Sequence, residues 1–404
     1  MKFSKLSQLF LVSSIGLLVA TLLTACQIVT IDYVFVASKG TPQTSANGKI
    51  ETFAVDSESG ALRSGTGIVD SGGVDPVAMA VTSDYTDLYV ANMGDNSVVH
   101  FAVAPNGTLT AKDTISLPDA PVSLAVNTAG TELYVVYGTT SATLAEYALS
   151  TGTIGSQTAL MPLVIPGYAG DSMVPTGVTV LATDAAVYAT AYDKSAYNPG
   201  GTTSSNAHPG WVFGFAVGSG GALAATNGSP YQAGVKPSAL AADPTSRFVY
   251  VADYASNQLV GYGIQAGGVL SFLINGPFKT GNEPQSVTID PRGKYMYVAN
   301  ALDSSVSGYV IDRATGTPSL AINSTGASNS ATDTQPVSIA VDPALGRFVY
   351  TANVLGNSIS GFRLDPNTGT LTPTQATPYP TNTQQPTVVV IVPHGNHSLQ
   401  AVAP

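Results

Sequence analysis

Three side chains in this 404-residue sequence, Asp75, Lys236 and Glu283, stand immediately before prolines that open similar phrases: "DPVAMAV", "KPSALAA" and "EPQSVTI". A carboxylate can take a proton from water, and an ammonium can hold the negative oxygen that develops when a carbonyl is attacked. Glu283 as base and Lys236 as cation, with Asp75 as a further carboxylate, would therefore suit hydrolysis of an ester-like bond. A second group is aromatic. Tyr168, Tyr192, Tyr197, Trp211 and Tyr231, with Asp193, Lys194 and His208, fall on three long irregular stretches, 160–175, 192–211 and 226–237. Such a surface suits stacking on sugar rings or on a partner's side chains, and long loops in a compact domain often carry function. Trp211 also aligns with the start of a regular strand, where a core role is expected.

Other polar residues point to structure. His394 and His397 in "PHGNH" have no carboxylate near them in the sequence, so no metal site is expected there, and no cofactor motif is present. His100, beside Phe101, reads as a satisfied strand histidine. Asn92, Asp253, Asn300 and Asn353 close recurring strands and are expected to hold turns. Arg247, Arg292 and Arg347 fall in turns on the opposite side. The sequence has no nucleophile elbow, phosphate loop or paired-carboxylate signature.

The elements that position these residues are repeats. Residues 283–316, "EPQSVTIDPRGKYMYVANALDSSVSGYVIDRATG", are nearly restated by "QPVSIAVDPALGRFVYTANVLGNSISGFRLDPNTG". Each copy contains three short runs rich in β-branched and aromatic residues, punctuated by Asp-Pro and Thr-Gly, and a fourth alternating run follows. A 40–50-residue unit of four strands is the pattern of a propeller blade. The opening proline occurs seven times, at Pro76, Pro121, Pro175, Pro237, Pro284, Pro336 and Pro386. The last copy has room for only one strand, while the first recognisable strand, "YVFVAS" at 33–38, matches the second strand of the unit. Pairing these two would complete a shared blade and close the ring. After most of the prolines the second and fourth residues are small, as in Ala78 and Ala80 or Ser338 and Ala340. One face of each first strand is therefore small, as crowding around an axis requires. Val388 and Val390 in the seventh copy depart from this.

Residues 1–25 carry Lys2 and Lys5, an apolar run and the ending "LTA" before Cys26, which reads as a secretory signal. "LTAC" resembles a bacterial lipobox, with Cys26 as the lipid-modified first residue, 26–32 as a tether and 33–404 as one all-β domain. The expected location is outside the cytoplasm, anchored to a membrane. Cys26 is the sole cysteine, which excludes disulfides and thiolate catalysis in the domain. Fifteen basic against 25 acidic residues argue against nucleic acid as a partner.

With its "YVAN" copies, "DPRGKYMYVAN" and "NSISGFRLDPNTGTL", the sequence over 33–404 resembles the YVTN and lactonase-like seven-bladed propellers, whose named enzymes include 6-phosphogluconolactonase and carboxymuconate cyclases. The resemblance implies a seven-bladed ring around a central channel. It also implies that the first-strand openings and the second-to-third-strand loops share one rim. Lactonase members of the group look to be served by histidine, arginine and glutamate at the channel mouth, often with histidine before a first-strand proline. Here those positions hold Asp75, Ala120, Val174, Lys236, Glu283, Gln335 and Gln385. The main expectation is a lipid-anchored propeller that binds a carbohydrate, peptide or protein ligand on its loop-rich rim. The alternative is a lactone hydrolase at the channel mouth.

Overall fold

The computed structural model describes residues 29–39, 46–167, 172–195, 209–323 and 326–404. Among the described residues seven antiparallel sheets follow one another around a ring, six with their strands in sequence order and the seventh combining strands from the two ends of the ring. We number the blades from the first proline. The inner strands of blades one to six are Pro76–Val81, Pro121–Val126, Met173–Val180, Pro237–Ala242, Pro284–Ile289 and Pro336–Val341. Blade seven takes its inner strand from the end of the chain, Pro386–Pro393, which pairs antiparallel with Thr30–Ser38 from Asp32↔Pro393 to Ser38↔Pro386. Each inner strand touches the next, and the seventh touches the first. The ring closes as the repeat pattern predicts.

Two boundaries differ from the sequence reading. The strand containing "YVFVAS" begins at Thr30 rather than Tyr33, because Thr30 still pairs with Asp56 across a bulge. In blades three to six the fourth strand is broken into two short segments that both pair with the third strand. Leu270–Phe272 and Phe278–Lys279 of blade four are an example.

The alternation of side-chain size on the inner strands is explained by packing. In blade one, Met79 and Val81 face back toward the closing blade, whereas Ala78 and Ala80 face forward into the apolar layer shared with blade two. Blades four and six repeat this with Ala239 and Ala241, and with Ala340. In blade three the forward position is Gly177, where a Cβ would lie 2.7 Å from Leu240 of blade four. Hydroxyls stitch the same surfaces. Ser123 accepts from the Val178 amide, Ser338 accepts from Val389, and Thr387 donates to the Pro76 carbonyl across the closing seam.

The tyrosine of the recurring "YVAN" phrase is a clamp. The hydroxyls of Tyr89, Tyr188, Tyr250, Tyr297 and Tyr350 donate to the carbonyls of Gly152, Gly268, Gly316, Gly369 and Gly60, each in the next blade's turn between third and fourth strands. These phenols are almost fully buried, and the hydrogen bond is what makes that burial tolerable. At the closing seam the matching residue is Phe35, and Thr66 instead donates to Gly107 O at 3.0 Å.

Candidate functional site

The rim that carries the prolines is locked in every blade by one backbone bond. The amide that follows the second strand donates to a carbonyl just before the inner strand, as in Met93 N to Asp75 O, Tyr254 N to Lys236 O and Ala301 N to Glu283 O, each 2.9 Å. The first-strand openings and the second-to-third-strand loops therefore do share a rim. Four residues at this mouth, Asp75, Glu283, Gln335 and Gln385, adopt φ between 54° and 60°. Non-glycine residues seldom occupy that region, and such strain persists only where surrounding bonds fix it. At Glu283 the fixing bonds are the one to Ala301 and a 2.8 Å bond from its own amide to Asn257 Oδ1.

Lys236 is half-buried. Its amide donates to Asp253 Oδ1 at 2.9 Å, which fixes the backbone, while its ammonium lies 4.5 Å from the centre of the Tyr254 ring and 5.6 Å from that of Tyr192. Burial holds this ammonium below the usual lysine range, and the negative charge of Glu283, one blade on, partly opposes that effect. A cation held over aromatic faces, with a carboxylate's charge acting on it from the next blade, can receive a carbonyl oxygen as negative charge develops on it.

Among the sequence-predicted catalytic residues, Lys236 and Glu283 stand on adjacent blades, where the charge of Glu283 acts on the Lys236 ammonium, while Asp75 is engaged elsewhere. Asp75 belongs to blade one and is ion-paired to Lys39 Nζ at 2.9 Å across the closing seam. Of the predicted binding residues, Tyr192 joins the Lys236 site, and sequence reasoning missed Tyr254, its second aromatic wall. The signal was available: Tyr254 directly follows the strand ending in Asp253, the position whose amide locks the mouth. Lys194 is exposed on the same rim. Asp193 is buried and caps its own turn through Ser195. Trp211 packs against the apolar layer between blades two and three, and its indole nitrogen is buried without a hydrogen-bond partner. Tyr231 is structural in form. Its hydroxyl contacts Thr226 Oγ1 and donates to Asn227 O, and Tyr379 repeats this pattern in blade six with Thr374 and Gln375. Tyr168, Tyr197, His208 and Cys26 lie outside the described residues.

The opposite rim, the base, is built from the Asp-Pro turns. Asp243 Oδ1 accepts from the amides of Arg247 and Phe248, and Asp290 Oδ1 accepts from those of Lys294 and Tyr295. Arg247 and Arg347 reach forward to carbonyls of the next blade, at Arg313 and Ser57 respectively. His100 is held between Asp87 and Asp113, each 2.6 Å from a ring nitrogen, and so both nitrogens are engaged as a strand histidine requires. The expectation that His394 and His397 lack carboxylate neighbours is corrected. His394 packs edge-on against Tyr33, while His397 lies between two buried aspartates, Asp32 and Asp342, from distant parts of the chain.

Comparison with known proteins agrees with this architecture. The chain matches the family described as "Lactonase, 7-bladed beta-propeller" over residues 46–163 and 220–332, more than half its length, and belongs to that family. A search of curated proteins finds no match. Among solved structures, the periplasmic gluconolactonase of Pseudomonas aeruginosa superposes with a TM-score of 0.72 at 16% identity, covering 91% of this chain and 100% of that one. A protein of Bacteroides uniformis provisionally assigned as a 6-phosphogluconolactonase gives 0.71 at 17% identity, covering 90% and 100%. A Lactobacillus plantarum protein gives 0.68 at 16%, covering 90% and 99%. At these identities the structural likeness carries the fold. The family match favours the hydrolase alternative over a pure binding scaffold.

Proposed function

We propose that this member of the seven-bladed lactonase family hydrolyses a polar, sugar-derived lactone at its channel mouth. The observation that carries the reading is the half-buried Lys236 ammonium, held between Tyr254 and Tyr192 with Glu283 acting on it from the next blade. The names of the similar structures, a gluconolactonase and a provisional 6-phosphogluconolactonase, support the substrate class.

In this mechanism Glu283 takes a proton from water as the water oxygen bonds to the lactone carbonyl carbon. Lys236 holds the oxyanion. The bond from that carbon to the ring oxygen then breaks, and the proton on Glu283 passes to the departing alkoxide, which leaves a hydroxy acid. The tyrosine faces flank the sugar ring. Asp75, engaged with Lys39, takes no part in the step.

The binding-scaffold reading leaned on the loop-rich rim. Of its described residues, Asp193 and Tyr231 have their polar groups engaged within their own loops. As a further proposal, the chain is exported and held to a membrane through Cys26. The N-terminal strand begins at the base, beside Pro393, so this tether would place the mouth away from the bilayer.

The test is hydrolysis of glucono-δ-lactone and its 6-phosphate by the purified protein, followed by acid release. Glu283→Gln and Lys236→Met are each expected to lose about 10²–10³ in rate, the size of losing one transition-state contact. Rates no higher for the wild type than for both variants would overturn the reading.

A further inference from the structure

At the base lies a buried cluster that the mouth chemistry does not use: Asp342, which holds the Asp-Pro turn of blade six by accepting from the amides of Ala344, Leu345 and Arg347, also meets His397 of the closing blade. His397 Nε2 is 3.1 Å from Asp32 Oδ1 and 3.3 Å from Asp342 Oδ1, and one donor atom from each residue lies within 4.8 Å of the others. Both aspartates are fully buried and His397 nearly so. We propose that Asp32, Asp342 and His397 bind one divalent transition-metal ion of the zinc class.

Repeat position sets Asp32 apart from its counterparts in other blades. By strand register, the residue one step before the second strand's first aromatic is Arg247, Lys294 or Arg347 in blades four to six. In each of these blades it donates to a carbonyl of the next blade. In blade seven that position is Asp32, which has no proton to donate. Its Oδ1 has only the His397 ring at 3.1 Å and its Oδ2 has no hydrogen-bond partner, though the residue is inaccessible to solvent. A buried carboxylate left this way is costly unless a cation meets it.

The charges are unequal without a metal. Two carboxylates face one imidazole, and a proton on His397 offsets only one of them. Arg347 acts on Asp32 from a distance, but its guanidinium is bonded to Ser57 O and lies over the Phe348 ring. Tyr85, from the blade-one turn, is near both aspartates and adds no positive charge. A divalent ion bound to a neutral imidazole would offset both carboxylates. The ligand spacing fits as well, since a tetrahedral site with bonds of about 2.0–2.1 Å has edges of about 3.3 Å. One imidazole with two carboxylates suits zinc or its neighbours in the first transition row, not calcium, which takes six to eight oxygens.

The site's parts explain its place. Asp32 comes from the first strand of the closing blade, Asp342 from the blade-six turn, and His397 from the short turn Gly395–Gln400 that follows the last strand. A metal here joins both chain ends to a neighbouring blade.

The experiment is calorimetric titration of untagged, chelator-stripped protein with zinc chloride in two buffers of different ionisation enthalpy. One equivalent per chain is expected, with release of the imidazolium proton and a rise in melting temperature. Asp32→Asn and His397→Gln should each weaken binding at least tenfold. His394→Gln, which leaves the cluster intact, should bind as wild type. No zinc uptake by the wild type would overturn the assignment. So would binding retained within twofold in both cluster variants, or lost in His394→Gln.

Discussion

The two rims of the ring are built on different rules. At the base the same residue types recur for the same reason: Asp243 and Asp290 hold their turns, and Arg247 and Arg347 bridge to the next blade. At the mouth the backbone lock recurs, but the side chain in front of each proline changes from Asp75 to Ala120, Lys236, Glu283 and Gln335. A chain of internal repeats thus compares itself with itself. Sameness marks what the blade needs, and difference marks where the ring has been adapted.

The most severe way to break this contrast is to remove something that both rims require. Deleting residues 386–404 takes the inner strand from blade seven and exposes the edge of Thr30–Ser38. No soluble, cooperatively melting protein is expected, as read by size-exclusion chromatography and thermal unfolding. Asp290→Ala at the base should follow, costing about 2–4 kcal/mol because one buried and one partly buried amide lose their acceptor and Arg292 its ion pair. Denaturant melts would measure it, and the fraction that stays folded should keep its activity.

At the mouth the balance reverses. Lys236→Met should leave the denaturant midpoint close to wild type while activity collapses. The ionisation of Lys236 sharpens the point. Burial lowers its folded-state pKa, so the cationic form, and with it activity, should fade as pH rises through a value below the ordinary lysine range. Lys236→Arg, charged throughout, should remove that alkaline limb from a profile of kcat/KM against pH. Smaller still is Tyr297→Phe, which deletes one inter-blade clamp and should cost about 1–2 kcal/mol. A loss no greater than scatter would mean that the clamp seals the blades by packing alone, as Phe35 does at the closing seam.

Much of the ring was legible because blades obey local rules. Seven prolines, the turn dipeptides and the split of one blade between the two ends gave the count and the closure. Alternation of Ala78 and Ala80 with Met79 and Val81 gave the two faces of the inner strand. The site was less legible because it depends on which blades are neighbours and on side-chain reach. Lys236 and Glu283 stand on adjacent blades, close enough for the carboxylate's charge to act on the ammonium, whereas Asp75 is paired with Lys39 across the seam. Tyr231 looked like a free loop aromatic until its repeat, Tyr379, showed the same hydroxyl bonds. The carboxylates around His397 were hidden because they approach through ring closure, which brings the two chain ends together without any trace in local spacing.

The closing blade also decides how the molecule would answer a pull. Its strand Thr30–Ser38 lies between Lys49–Asp56 and Pro386–Pro393, antiparallel to both. A force on the segment before Thr30, directed along the strand, would load two ladders of hydrogen bonds in shear and all at once, instead of peeling them one by one. The weakest link in the ring's covalent path is thus placed where tension finds its stiffest resistance.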